Sequence, residues 1–270
     1  MGVTVIVNFF AKIGSVVLGA WKGTVEVLGL LFDTIWWLIF GPLKNKFVKS
    51  DSIFHQMVFA GVGSLVIAMF VAFFTGIVIA MQSAYQLSRF GANIYVAPMV
   101  AISLARELGP VLTALVVTGR VGAAIAAELG TMKVSEQIEA LETMALNPIR
   151  FLVIPRFLAL LVMLPCLTIL ADLVGIFGGF LVGVFSLDLD PYRYITFSFK
   201  YMAWKDVWTG LVKSGTFALI ISMIGCYMGL NTKGGAEGVG KSTTLSVVTS
   251  FILIILFDCI LTGVFYFAGK

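Results

Sequence analysis

Charge is what this chain has least of. Lys, Arg, Asp and Glu make up 12% of its 270 residues, roughly half the share usual in soluble domains. Histidine occurs once, at His55. That excludes a histidine-built metal centre, and neither a metal nor any other cofactor is expected. A single His at a helix entrance reads as structural. The three cysteines, Cys166, Cys226 and Cys259, are odd in number and lie in apolar runs. They read as small packing residues, without a disulfide. The N-terminus lacks a basic start, a short apolar run and a small-residue cleavage site, so no cleavable signal peptide is expected. No nucleophile–base pair stands out, so no catalytic residue is assigned and the chain does not read as an enzyme.

What the chain has is apolar length. It is 60% hydrophobic, with a mean hydropathy of +1.05. These values define an all-α integral membrane protein, because only helices or closed barrels satisfy their backbone groups in lipid. The net charge of +4 points to anionic lipid surfaces rather than to nucleic acid. Five spans are expected, at about 57–80, 94–127, 151–186, 206–230 and 245–267, each long enough to cross. Two domains are expected: an N-terminal interfacial helix over 1–42 and a five-span membrane domain over 43–270. In the first of these, Asn8, Lys12, Ser15, Gly19, Lys22, Glu26, Gly29 and Asp33 recur at spacings of three and four. They form one polar stripe of an amphipathic helix lying in the membrane interface, with Trp36 and Trp37 as an aromatic belt; the rival reading is a true first span, against which Lys22 and Glu26 near its middle argue. Lys44, Lys46 and Lys49 come next as a basic patch. Eight Lys and Arg flank the spans on the side of Lys44, Lys133 and Lys241, against five on the side of Arg89 and Lys205. The first side is therefore assigned to the cytoplasm.

The second span contains Leu104-Ala-Arg-Glu-Leu-Gly-Pro110. Arg106 and Glu107 each cost about 3 kcal/mol at a helix centre on insertion scales, so they are expected to face a cavity or a partner, with a buried structural ion pair as the alternative. Pro110 clashes with the carbonyl four residues back, that of Arg106, which predicts a kink there. Pro155 and Pro165 predict kinks in the third span. Gly122, Ala126 and Gly130, and again Gly175, Gly179 and Gly183, recur every four residues and predict close helix packing. Lys213 and Asp258 fall at similar depths in consecutive antiparallel spans, about 10–14 Å from the outer ends, and are expected to form a structural ion pair. The segment 187–205 reads as an exposed loop.

Residues 133–145 form the one clearly polar helical stretch. Glu136, Glu139 and Glu142 alternate with Ile138, Leu141 and Met144, a form suited to presenting a face to a soluble partner. Farther on, Gly235-Ala-Glu-Gly-Val-Gly-Lys-Ser242 satisfies G-x-x-x-x-G-K-[ST] letter for letter. That pattern binds nucleotide only between a strand and a helix of a soluble α/β domain. Here it joins two spans, so it reads as a flexible cytoplasmic turn and not as an ATP site.

The stretch ARELGPVLTALVVTGRVGAAIAAELGTMKVSEQIEALETMALNPIRFLVIPR, residues 105–156, resembles the MlaE permease family of lipid-transporting ABC systems. The resemblance continues through LVGIFGG, Lys213-Ser214, GAEGVGKSTT and Asp258. It implies an interfacial helix and five spans in a homodimer of the bacterial inner membrane. It also implies a cytoplasmic ABC ATPase gripped by the coupling helix through Glu136, Glu139, Leu141 and Met144. A periplasmic MCE-domain partner is implied, and there is room for a small STAS-domain protein. The implied cargo is phospholipid passing between the two membranes. The implied lipid pocket uses Arg106, Glu107 and Leu108, with Ile79, Leu87 and Phe90 from the first span and Gln86 as a polar departure. An ion-coupled secondary carrier using Arg106, Glu107 and Asp258 and a structural scaffold of an envelope complex are the alternative readings.

Overall fold

The computed structural model describes the backbone of residues 2–43 and 49–267, with side chains from residue 18 onward except 19, 20, 42 and 43. Lys44 and Lys46 of the expected basic patch, and Lys270, lie outside the described residues. So do the side chains of Asn8, Lys12, Ser15 and Gly19 in the polar stripe.

Eight helical segments succeed one another among these residues. They are α1, Gly2–Leu43; α2, Ser50–Phe90, and α3, Asn93–Val134; α4, Gln137–Thr143; α5, Ile149–Leu187; α6, Pro191–Tyr201; α7, Trp204–Leu230; and α8, Gly235–Phe267. Six stretches are long and apolar enough to cross a membrane. The one beyond the expected five is Trp21–Gly41, inside α1. Its contacts lie at one end of the bundle. Tyr227, at the basic end of α7, donates to Glu26 at 2.6 Å. Val27, Leu30 and Leu31 pack on the same core as Ile149, Leu152 and Leu230.

Two apolar cores hold the bundle. The larger gathers Val121 and Ile125 of α3, Phe157 and Leu164 of α5, Phe217 and Ile221 of α7, and Ile254 of α8. The smaller lies toward the opposite end and gathers Ala80 and Ala84 of α2, Val96, Val100 and Leu104 of α3, and Val182 of α5. Small residues let the backbones meet. A Cβ on Gly76 of α2 would stand 1.9 Å from the Gly175 carbonyl oxygen of α5. The other glycine stripe serves α7: a Cβ on Gly229 would stand 3.1 Å from the Ala126 carbonyl oxygen.

The helices are locally widened. Val58–Val62, Leu104–Leu108, Thr118–Gly122 and Ile149–Val153 are π turns, a feature that often marks functional positions. Two of them interlock. Arg120, in the third, donates to the Phe59 carbonyl and to Ser64 Oγ, both at 2.9 Å, in and beside the first.

Two expectations give way to the structure. The segment 187–205 is not a plain loop but contains α6, where the Asp190 carboxylate accepts from Arg193 N–H at 2.9 Å and Pro191 opens the helix. Its Tyr194 is buried against Gly183 and Phe180, so α6 is fastened to α5. The glycine-rich segment is not a turn either, since α8 begins at Gly235 and runs through Gly240 and Lys241. A continuing helix satisfies more backbone groups at a membrane boundary than a loop does. α5 runs as one helix through Pro165, and Pro155 sits in the first turn of its regular part, a position that tolerates a missing N–H.

Gly76→Ala should destabilise the protein by about 1–3 kcal/mol through overpacking against α5. Gly119→Ala, where a Cβ meets nothing within 4 Å, should be close to neutral. Thermal unfolding of the two variants in detergent checks the contrast.

Candidate functional site

The site is built from the π turn Leu104–Leu108. Gly109 N–H reaches back to the Leu104 carbonyl, and Pro110 falls at the start of the next regular stretch. A wider turn thus accompanies the proline. A π turn absorbs the residue whose N–H is missing without leaving a broken ladder. Leu104 and Ala105 turn into the bundle. Arg106 and Glu107 stay 36% and 35% exposed.

These two neighbours do not pair with each other among the described residues. Glu107 meets Lys213 of α7, an ammonium with 0% exposure. Lys213 also lies 2.8 Å from Asp258 Oδ1 of α8 and donates to Thr262 Oγ1 at 2.7 Å. Lys213 therefore hydrogen-bonds Glu107 and Thr262 and pairs by charge with Asp258. Thr262 in turn sits 3.2 Å from Glu107 Oε2 and 2.8 Å from the Asp258 carbonyl. Sequence spacing pairs Lys213 with Asp258 and leaves Glu107 free for cargo. The structure places Glu107 on the same ammonium.

Arg106 goes elsewhere. Its Nη1 lies 3.6 Å from Asp206 Oδ1 at the start of α7. Asp206 and Lys213 are seven residues apart, two turns along one face. Gly210 lies between them, and a Cβ there would stand 2.0 Å from the Ala105 carbonyl oxygen. One face of α7 therefore offers a carboxylate, a bare backbone and an ammonium to three consecutive residues of α3. Arg106, Lys213, Glu107, Asp206 and Asp258 together carry one negative charge in excess when all are ionised.

Sequence reasoning missed Asp206 and Thr262. A signal existed for each: Asp206 shares the Lys213 face by its spacing of seven, and Thr262 shares the Asp258 face by its spacing of four.

The other selected residues divide. Ile79, Leu87 and Leu108 pack together on the smaller core. Phe90 does not join them and is 82% exposed, and Gln86 is exposed as well. At the basic end, α4 is anchored by buried Ile138. Glu136 and Met144 are exposed and Leu141 is half-buried. Glu139 is turned back onto Lys133, whose hydrogen bond holds the carboxyl below its usual range. The helix is bounded by left-handed residues, Glu136 at φ 58° and Ala145 at φ 57°. Leu146 N–H closes onto the Leu141 carbonyl at 3.0 Å, the Schellman closure that usually employs glycine. The residues matching the nucleotide pattern are helical, and Asp258 is taken by Lys213, so that motif has neither its loop nor its acid.

A bundle of membrane-spanning helices with charge held inside it and a short polar helix at one end has the construction of a membrane transport subunit. Comparison with known proteins agrees. Residues 53–264 match the family model described as Permease MlaE. A probable ABC transporter permease of Rickettsia felis is 47% identical over 214 residues, covering 79% of this chain and 83% of that protein. One from Synechocystis is 42% identical over 212 residues, covering 78% and 81%. The intermembrane phospholipid transport system permease protein MlaE of Haemophilus influenzae is 35% identical over 265 residues, covering 98% and 100%. The chain belongs to the MlaE permease family: it is a multi-pass permease subunit and is not itself catalytic.

Removing the central ammonium leaves two carboxylates facing each other inside the bundle. Lys213→Met should therefore destabilise by roughly 3–5 kcal/mol. The loss should shrink when Glu107→Gln and Asp258→Asn are already present, which a thermodynamic mutant cycle in detergent measures.

Proposed function

We propose that this chain is the permease through which phospholipid passes between an inner membrane and an MCE-domain partner on the outer side. The observation that carries this reading is the unequal treatment of three arginines. Arg120 makes two hydrogen bonds, to Phe59 and Ser64. Arg156 likewise makes two, to Leu152 and Glu128. Among the described residues Arg106 makes none and has a single counter-ion, 3.6 Å away, while 36% of its side chain stays accessible. A guanidinium with spare planar donors suits a phosphate. The smaller apolar core, with Ile79, Leu87 and Leu108, lies next to it along α2 and α3 and suits acyl chains. The name of the Haemophilus relative supports the same cargo.

Work comes from a separate cytoplasmic ABC ATPase that grips α4. The exposed Glu136, Glu142 and Met144 form the gripping face, with Leu141 beneath it. Because Glu139 is engaged by Lys133, its part is to shape that face rather than to touch the ATPase. α1 lies in the inner interface as a separate N-terminal unit, in keeping with its contacts to the basic ends of α5 and α7 and with the exposure of Lys22. The functional unit is a homodimer, with a STAS-domain protein as a further cytoplasmic partner.

Purification of the tagged chain from native membranes should recover an ATPase, and mass spectrometry should recover phospholipid. Arg106→Glu should cut the recovered lipid several-fold. Glu142→Lys should weaken ATPase association while leaving bound lipid unchanged. Full transport activity from a preparation without any ATPase would replace this reading with that of an ion-coupled carrier.

A further inference from the structure

Asp206 stands at the start of α7, two turns above Lys213. Its Oδ2 accepts from Ala203 N–H at 2.9 Å, and the residue is 8% exposed. The carboxylate is thereby fixed in place, with Oδ1 aimed at Arg106. The gap of 3.6 Å is longer than the 2.7–2.9 Å of a charge-assisted hydrogen bond. Asp206 attracts Arg106 without saturating it. Exposed Trp204 and Trp208 flank it on the same helix, which sets this end of α7 at a membrane interface, where headgroups lie.

We propose that Asp206 is a built-in counter-ion that competes with the phosphate of the cargo lipid for Arg106, so that the Arg106–Asp206 pair and the lipid-bound state exclude each other. A phosphate on Arg106 would stand within a few ångströms of the Asp206 carboxylate. Two like charges that close repel, more so in a protein-like medium than in water. Arg106 relieves that repulsion by turning from Asp206 to the phosphate. Asp206 is a positioning residue in this scheme: it acts through Arg106 and does not touch cargo. The neighbouring pair behaves differently. Glu107 is tied to a fully buried ammonium, so it stays fixed while Arg106 moves. Lipid entry thus loosens α3 from the start of α7 and leaves the two helices joined two turns deeper. The inference rests on the proposed headgroup-binding role of Arg106.

The test uses the full chain with its co-purified partners in nanodiscs and a fluorescent-acyl phosphatidylethanolamine as probe. Asp206→Asn keeps an oxygen for Ala203 N–H and removes the charge. It should tighten probe binding about two- to fivefold, the worth of a partly exposed ion pair. Asp206→Ser, which also keeps an oxygen, gives the same readout should the amide variant not fold. In an Arg106→Gln background, where binding is already weaker, the gain from either variant should vanish, because no guanidinium remains to compete for. An unchanged or weaker affinity for folded Asp206→Asn overturns the counter-ion role. So does an equal gain with and without Arg106. If the wild type binds the probe and Arg106→Gln weakens binding, but Asp206→Asn is neutral, only this proposal falls. If the wild type takes up no probe at all, the headgroup reading falls with it.

Discussion

A lysine ammonium with no solvent contact, well inside a membrane-spanning helix, sets the terms for the rest of this fold. Lys213 is tolerable there only because Glu107, Asp258 and Thr262 bring oxygens from two other helices. An ion of that size left alone would cost several kcal/mol even after relaxation. The requirement fixes the mutual rotation of α3, α7 and α8 more tightly than apolar packing could, since lipid-facing and core-facing leucines are chemically alike. It also explains why α3 widens at Leu104–Leu108. The π turn carries Glu107 to the ammonium while Leu104 and Ala105 remain in the core.

The same face of α7 treats the two charged neighbours of α3 in opposite ways. Glu107 meets a buried lysine that Asp258 and Thr262 also hold. Arg106 meets a carboxylate that it approaches without bonding. Gly210 lies between the two contacts and lets the backbones touch. One neighbour is thereby structural and the other is left with unused donors, although both sit on one turn. Elsewhere in the bundle, Arg120 and Arg156 spend their donors on carbonyls, a hydroxyl and a carboxylate. Their roles are those of braces: Arg120 joins two π turns, and Arg156 ties α5 to the basic end of α3.

α3 is the element that connects the two ends of the molecule. It carries the charged turn toward one side of the membrane and ends at Val134, three residues before α4 begins. Its second π turn is held to α2 by Arg120, and its small-residue stripe lies against α7. The helix leading to α4 is therefore widened at two places and braced at one. Left-handed Glu136 and Ala145 at the borders of α4 make it a separately seated segment rather than a continuation of α3.

Much of this was legible in the amino-acid order. The spans could be read from runs of apolar residues, because the bilayer demands length before anything else. The close contacts could be read from small residues at every fourth position, and the importance of Arg106 and Glu107 from the cost of charge at depth. The pairing of Lys213 with Asp258 was available from depth alone, since consecutive antiparallel helices preserve it. Other features were not legible. α6 was hidden because its charges and aromatics look like a loop until Tyr194 finds the glycines of α5. The helical start of α8 was hidden by a glycine-rich composition, whose helix is sustained by the long apolar run from Leu245 onward. Whether Glu107 served cargo or Lys213, and whether Arg106 had a partner at all, depended on residues about a hundred positions away in α7. The sequence determined which groups the membrane would not tolerate alone. Only the tertiary structure decided which of them would meet, because pairing is set by the rotation and separation of helices, and no local spacing encodes either.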